Sequence, residues 1–95
     1  MNCKKYSGVE VFRVKAMDQG GYYGVLLVNW DSKNEASLML DLVLSGISPA
    51  SYYNCKVTDM WFPSIFYVAN GLYEVAKIPP HGNVALMISC KKPGQ

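Results

Sequence analysis

The chain has 95 residues, of which 51% are apolar and 17% charged, and its formal net charge is +2. This length supports one modest core, and the composition excludes an intrinsically disordered segment. The basic residues are scattered except for Lys4-Lys5 and Lys91-Lys92, which excludes the concentrated basic footprint of a nucleic-acid-binding face. No apolar run of signal-peptide or membrane-span length occurs, so we expect no membrane partner, and the cellular location stays open.

The first periodic segment is typical of a β-strand. Apolar and polar residues alternate over Val9–Met17. The alternation slips at Val11 and Phe12, where two apolar residues adjoin, and a bulge or a strand start would explain this slip. Asp18–Gly21 has the composition of a hairpin loop, which predicts that this strand pairs antiparallel with the next one.

The second strand is expected over Tyr22–Trp30. Its continuous apolar run is typical of a strand that is covered on both faces or lies in the centre of a sheet. The segment Asp31–Leu42 allows two interpretations, because Ser32 and Glu35 have the spacing of a helix capping box. We favour a strand over Ala36–Leu42, since the apolar period there is two and the stretch is short.

Four further strands are separated by turn residues. Asn70-Gly71 is the strongest hairpin dipeptide in the chain, and Pro79–Gly82 is a rigid turn. The strands are expected at Tyr52–Asp59, Ile65–Val68, Leu72–Ile78 and Val84–Ser89.

Six to eight short strands at spacings near ten residues, with no helix, predict an all-β fold. Such a pattern is met by an antiparallel β-sandwich or a small barrel, and we favour a sandwich of Greek-key type. The expected organisation is an N-terminal tail over residues 1–8, a sandwich over 9–90 and a C-terminal tail over 91–95.

The cysteines Cys3, Cys55 and Cys90 have no close spacing, so no zinc motif is present and no metal site is expected. Cys55 and Cys90 both lie in strand-like runs, which favours buried thiols that behave as small apolar residues. A disulfide between them, with Cys3 as the spare thiol, remains open.

The polar residues give no local catalytic motif. Glycosidase chemistry needs two carboxyl groups close together in a cleft, and the spacing of the acids predicts no such pair. Asp31 and Asp59 lie in turn contexts, where a carboxylate that accepts backbone N–H groups is the simplest role. His81 is expected to be a turn residue, and the glycines do not form a phosphate-binding loop, so no cofactor is expected.

The aromatic residues are the remaining candidates for binding. Core packing or an interface with another domain is favoured for them, and stacking on sugars is the alternative. The residues that could form a stacking platform or an interface are Tyr22, Tyr23, Trp30, Tyr52, Trp61 and Tyr67.

Four segments in order give a more specific signal. They are Val9–Arg13 (VEVFR), Tyr23–Asn29 (YGVLLVN), Asp59–Trp61 (DMW) and Ile78–Met87 (IPPHGNVALM). In sequence and order they resemble the C-terminal β-sandwich of the α-galactosidases of glycoside hydrolase family 27. The positions that match the family motifs most closely, and to which the resemblance assigns structural roles, are Asn29, Asp59, Trp61, Pro80, His81 and Gly82.

The four segments resemble the sandwich of the family and not its catalytic barrel, and this difference implies a function. Family members hydrolyse terminal α-galactosides with two aspartates on a (β/α)8 barrel that precedes the sandwich, and no catalytic residue carries over to this sequence. The expectation is therefore a non-catalytic accessory domain that packs on and stabilises a partner (β/α)8 catalytic domain. The alternative is a carbohydrate-binding module for galactose-containing glycans.

Overall fold

The structure is a computed structural model, and it describes residues 2–6, 8–16 and 22–94. This part of the chain is all-β, and every strand pairing in it is antiparallel. It has no helix that is long and apolar enough to cross a lipid bilayer. The strands are β1 (Asn2–Tyr6), β2 (Val9–Ala16), β3 (Tyr22–Asn29), β4 (Ala36–Asp41), β5 (Asn54–Asp59), β6 (Ser64–Val68), β7 (Leu72–Ile78) and β8 (Asn83–Lys91).

The strands form two sheets, as predicted for a sandwich. The larger sheet has six strands in the order β1-β2-β3-β8-β5-β6, and the smaller one pairs β4 with β7. The chain passes to the smaller sheet after β3 and again after β6. Among the last four strands, β5 to β8, the fourth returns to lie beside the first, as in a Greek key. The difference from a simple Greek key is that β7 lies in the second sheet.

One core cluster lies between the two sheets. The larger sheet and the smaller sheet both contribute fully buried side chains, such as Leu27 on β3 and Ile78 on β7. The β4–β5 connection adds Leu42 and Ile47. The other members are Val9, Val11, Val25, Leu40, Cys55, Val57, Val68, Val75, Leu86 and Ile88.

Several predictions from the sequence are confirmed by these strands. β4 begins at Ala36, so the helical interpretation of Asp31–Leu42 is wrong. β3 is an interior strand of the larger sheet, and it pairs antiparallel with β2.

Two further predictions concern the N-terminal part of the chain. The predicted loop Asp18–Gly21 lies outside the described residues. β1 lies within residues 1–8, where the sequence predicts an N-terminal tail.

The slip at Val11 and Phe12 is not a bulge. β2 pairs with β3 in unbroken register from Val9 to Ala16. Val11 belongs to the core cluster, whereas Phe12 is on the opposite face of the sheet. Two adjoining apolar residues occur because both faces of the strand are apolar at these two positions.

The hairpin predicted at Asn70-Gly71 is also wrong. β6 and β7 are consecutive, but they belong to different sheets, so the connection crosses the sandwich. Gly71 has φ +76°, and its carbonyl accepts the N–H of Leu42 at 2.8 Å. A Cβ at Gly71 would lie 3.3 Å from the backbone of Ser51. Glycine is therefore required at position 71 because the chain passes close to the β4–β5 connection there, and not because it forms a hairpin turn.

The favoured assignment of Cys55 and Cys90 as free thiols is corrected by the structure. The two residues are directly opposite in the β5–β8 pairing, and they form a disulfide. Their pairing depends on which strands become neighbours and in which register. Local sequence carries no information on that, because the residues are 35 positions apart.

We expect the disulfide to stabilise the domain by about 3 kcal/mol, since it closes a long loop in the unfolded chain. Because 1 kcal/mol corresponds to roughly 4–8 °C in a domain of this size, reduction with a phosphine should lower the melting temperature by roughly 10–20 °C, measured by circular dichroism. The control is the double variant Cys55→Ala and Cys90→Ala, on which the reductant should have no effect. An unchanged melting temperature on verified reduction of the parent chain would contradict this expectation.

Candidate functional site

The outward face of the larger sheet is apolar at its centre. Phe12 is opposite Leu26, which is opposite Ala85, so these side chains form one row across β2, β3 and β8. The next row on the same face joins Val14, Gly24 and Met87. We call these six residues, together with Met60, the outer apolar face.

The outer apolar face is concave. Its residues, with Val25 and Leu86, line an open groove of about 550 Å³. Gly24 and Ala85 give the groove its depth because they carry little or no side chain. Met60 follows β5 and is held at the groove by its N–H, which donates to the carbonyl of Ala85 at 2.9 Å. Val14 is 52% exposed, although it lies on an interior strand of the sheet.

Both tryptophans lie at one end of this face. The row Glu10, Val28 and Asn83 crosses β2, β3 and β8 there. The indole N–H of Trp30 donates to the Glu10 carboxylate at 2.8 Å, and that of Trp61 donates to the Asn83 side-chain oxygen at 2.7 Å.

These hydrogen bonds fix the indoles and leave their rings accessible. Trp30 is 54% exposed and Trp61 is 55% exposed. Their acceptors are two strands apart, which is roughly 10 Å at the usual strand spacing. The two tryptophans therefore belong to one surface, which we call the tryptophan end.

The other aromatic candidates are not gathered at that end. Tyr23 faces the core side of the sheet, where it packs against the core cluster and lies beneath the guanidinium of Arg13 at 5.4 Å. Tyr52 lies in the β4–β5 connection, with its ring 5.2 Å from that of Tyr53. Neither residue shares a surface with the tryptophans.

Tyr22 and Tyr67 lie on the outward face, in a row at the other end of the sheet. The register across β3, β8, β5 and β6 connects Tyr22, Ser89, Lys56 and Tyr67. Tyr67 is on β6, the last strand of the sheet, and is 77% exposed. The six aromatic candidates thus occupy several separate places rather than one platform.

Asn29 is a fully buried polar residue at the end of β3. Its side-chain amide donates to the carbonyls of Asn34, Ile78 and Pro79 at 2.9, 3.0 and 3.2 Å. Its side-chain oxygen accepts the N–H of Asp31 at 3.0 Å. One carboxamide thereby connects the central strand to the β3–β4 loop and to the β7–β8 turn.

The β7–β8 turn explains the residues Pro80, His81 and Gly82. The N–H of Gly82 donates to the carbonyl of Pro79 at 2.8 Å, and His81 has φ +56°. Proline in the second position and positive φ in the third are the features of a type II turn. A Cβ on Gly82 would lie 2.9 Å from the Pro79 oxygen, so only glycine fits the fourth position. His81 is a turn residue, as predicted.

The aspartates are engaged in turns. Asp31 accepts the N–H groups of Lys33 and Asn34 at 2.7 and 2.9 Å. Asp59 accepts those of Trp61 and Phe62 at 2.9 and 3.0 Å. The predicted role of both carboxylates, the acceptance of backbone N–H groups, is confirmed. For Asp59 this turn also places Met60 and Trp61 at the outward face.

Among the described residues no group of three or more His, Cys, Asp and Glu side chains could hold a metal ion. No protein-family model matches the chain, and a search of the curated proteins finds no significant match.

The outer apolar face is not among the sites predicted from the sequence. The predicted binding residues are aromatic residues that could stack, whereas the face is made of Phe12, Val14, Leu26 and two methionines around a glycine. The signal was present in the adjoining apolar residues of β2 and in the unbroken apolar run of β3. Both features show strands that are apolar on each side.

The buried amide of Asn29 can be tested with an isosteric change. Asn29→Asp removes the donors and places a carboxylate against three carbonyl oxygens in a buried site, so we expect a loss of about 3 kcal/mol in the free energy of unfolding. Asn83→Asp is the matched control, because residue 83 is exposed and the new carboxylate still accepts the indole N–H of Trp61. Urea denaturation measures both variants, and equal stabilities would contradict the role of Asn29.

The pH dependence of stability follows from Asp31. The N–H groups of Lys33 and Asn34 hold the pKa of this carboxyl below its usual value. Its stabilising effect is thus complete above the unfolded-state pKa of about 4 and is lost as pH falls through the lower folded-state pKa. Asp31→Asn should be less stable than the parent at pH 7, and the difference should shrink in acid, as followed by urea denaturation. A difference that is independent of pH would refute this assignment.

Tyr73 makes the stability of the fold depend on pH in the alkaline range. Burial raises the pKa of Tyr73 above its usual value, and the charge of Asp59 adds to the shift. The neutral phenol is the form that the folded state favours, so this contribution is lost as pH rises above about 10.

Proposed function

We propose that the chain is a non-catalytic accessory β-sandwich of an α-galactosidase-type glycoside hydrolase, and that it packs on and stabilises a (β/α)8 catalytic domain. The outer apolar face is the observation that carries this proposal. It is the surface on which the partner domain rests.

The position of the face supports a large apolar contact. It lies over β2, β3 and β8, which are interior strands of the larger sheet. A sheet that serves one core needs apolar residues on one side only, and the other side is commonly polar. Here Val14 and Leu26 stay exposed, and an apolar patch of this kind marks a surface that another domain covers.

The resemblance to the glycosidase sandwich supports the same face. Val9–Arg13 supplies Phe12, and Tyr23–Asn29 supplies Gly24 and Leu26. Asp59–Trp61 supplies Met60, and Ile78–Met87 supplies Ala85 and Met87. Every residue of the outer apolar face except Val14 therefore comes from the four segments that carry the resemblance.

The carboxylates are consistent with a non-catalytic role. Asp31 and Asp59 accept backbone N–H groups of their own turns, and Asp41 does the same for Val43 and Leu44 at 3.0 Å. Hydrolysis of a glycosidic bond would therefore depend on the carboxylates of the partner domain.

The test uses a lysine in place of a leucine on the face. A purified (β/α)8 domain of an α-galactosidase without its own sandwich is titrated with the chain by calorimetry. We expect Leu26→Lys to weaken binding by at least about tenfold, because it buries a charge in the contact. Leu44→Lys is the matched control, since Leu44 is exposed in the β4–β5 connection, and it should bind as the parent does.

Two outcomes would overturn the docking proposal. The first is that the parent chain does not bind the barrel even at high micromolar concentration. The second is that Leu26→Lys binds as tightly as the Leu44→Lys control. Circular dichroism of each variant confirms that the fold is kept.

The tryptophan end favours one alternative function, the binding of galactose-containing glycans. Trp30 and Trp61 are held by hydrogen bonds at their indole N–H groups, and their exposed ring faces are available for stacking on a sugar. Tryptophan fluorescence should then respond saturably to millimolar galactosides in the parent and not in Trp30→Ala. Tyr52→Ala, which changes an aromatic residue outside that end, is the control. The absence of a response in the parent would set this alternative aside.

A further inference from the structure

The sequences of the two edge strands of the larger sheet differ in their content of charged residues. β1 forms one edge, and its sequence contains Lys4 and Lys5. β6 forms the other edge, and no charged residue occurs between Asp59 and Glu74 in the sequence. Lysines on an edge strand are a common means of preventing a further strand from pairing with it. The β6 edge lacks this protection.

The side chains of β6 are also unusually accessible. Ile65, Phe66 and Tyr67 are consecutive in the strand, and all three are exposed apolar residues. Ile65 is opposite Thr58, which is opposite Met87, so it extends a row of the outer apolar face to the sheet edge. Phe66 is on the core side, opposite Val57, and its ring centroid is 6.0 Å from that of Tyr73.

We propose that the β6 edge is a self-association surface, on which the β6 strand of a second copy of this chain pairs antiparallel about a two-fold axis at Phe66. The two larger sheets then join into one continuous sheet. This inference concerns a different surface from the docking face and goes beyond the proposed function.

The sequence of β6 is complementary to itself in this register. The two-fold axis places Phe66 opposite Phe66 of the second copy, and Ile65 opposite Tyr67 of the second copy. Pairs of aromatic and β-branched residues are among the favourable cross-strand pairs. On the core side, each Phe66 already contacts Tyr73, so four aromatic rings come together at the axis.

The sequences of the two edge strands favour pairing of β6 with β6 of a second copy over pairing of β6 with β1. Head-to-tail growth would pair β6 with β1, whose sequence contains two lysines, and lysine in an edge strand disfavours pairing with a further strand. Pairing of β6 with itself avoids these charges and gives a closed dimer. A five-residue strand provides less contact area than a permanent interface needs, so the dimer should be reversible.

Sedimentation velocity of the 95-residue chain from micromolar to millimolar concentration is the first test. We expect a monomer–dimer equilibrium, and we expect Tyr67→Lys to raise the dissociation constant by about tenfold or more. Tyr52→Lys is the matched control because Tyr52 is exposed outside the sheet edge, and it should dimerise as the parent does.

Three outcomes would overturn the inference. They are a monomer at all concentrations, growth beyond the dimer, and a dimer that Leu26→Lys abolishes while Tyr67→Lys does not. The last result would place self-association on the outer apolar face. A failure of the barrel titration leaves the dimer unaffected, so the two proposals fail separately.

Cysteine cross-linking tests the register, in a Cys3→Ser background. Phe66→Cys should form an intermolecular disulfide on mild oxidation, because residues directly opposite have Cβ atoms about 5 Å apart. Ile65→Cys alone should not cross-link, whereas a mixture of Ile65→Cys and Tyr67→Cys should. The mixture keeps the test decisive if loss of the Phe66 ring disturbs the edge. Cross-linking of Ile65→Cys with itself, or none in the mixture, would contradict the register.

Discussion

The carboxamide of Asn29 is the interaction on which the arrangement of the two sheets depends. A sandwich whose chain crosses between sheets must hold those crossings in place, and hydrophobic burial alone is not directional. The Asn29 amide donates to carbonyls of the β3–β4 loop and of the β7–β8 turn, and it is fully buried. An unmade hydrogen bond there would be costly, so the amide selects one alignment of β3 with both connections.

The same alignment positions the outward face. The backbone N–H of Asn29 donates to the carbonyl of Gly82 at 2.9 Å, which fixes where β8 begins beside β3. That register brings Ala85 next to Leu26 and Met87 next to Gly24, and so forms the groove. Asn29 thus holds the two connections through its side chain on the core side, and through its backbone it fixes the register that shapes the outward apolar surface.

The features that the sequence predicts correctly are those that depend on local sequence pattern. Alternation and turn residues gave the strands from β2 to β8 with small errors at their ends, and the turn context of Asp31 and Asp59 predicted their hydrogen bonds. The pattern failed where the outcome depends on distant partners. Cys55 and Cys90 become neighbours only through the β5–β8 register, and Asn70-Gly71 crosses between sheets because β7 pairs with β4.

The outward face was missed for a different reason. Periodicity shows that one side of a strand differs from the other, but β2 and β3 are apolar on both sides. The adjoining apolar residues of β2 predict a bulge or a strand start, whereas its register with β3 is regular from Val9 to Ala16. An apparent break in alternation within a regular strand is better understood as a sign that the second face is also meant to be covered.

The disulfide has a mechanical consequence. Cys90 is next to Lys91, the last residue of β8, and its bond leads directly into β5. A force applied at the carboxyl end of the chain therefore reaches β5 through a covalent bond before it can separate the β8 ladder residue by residue. Tension on the carboxyl end therefore cannot detach β8 alone, because β8 is covalently tied to β5.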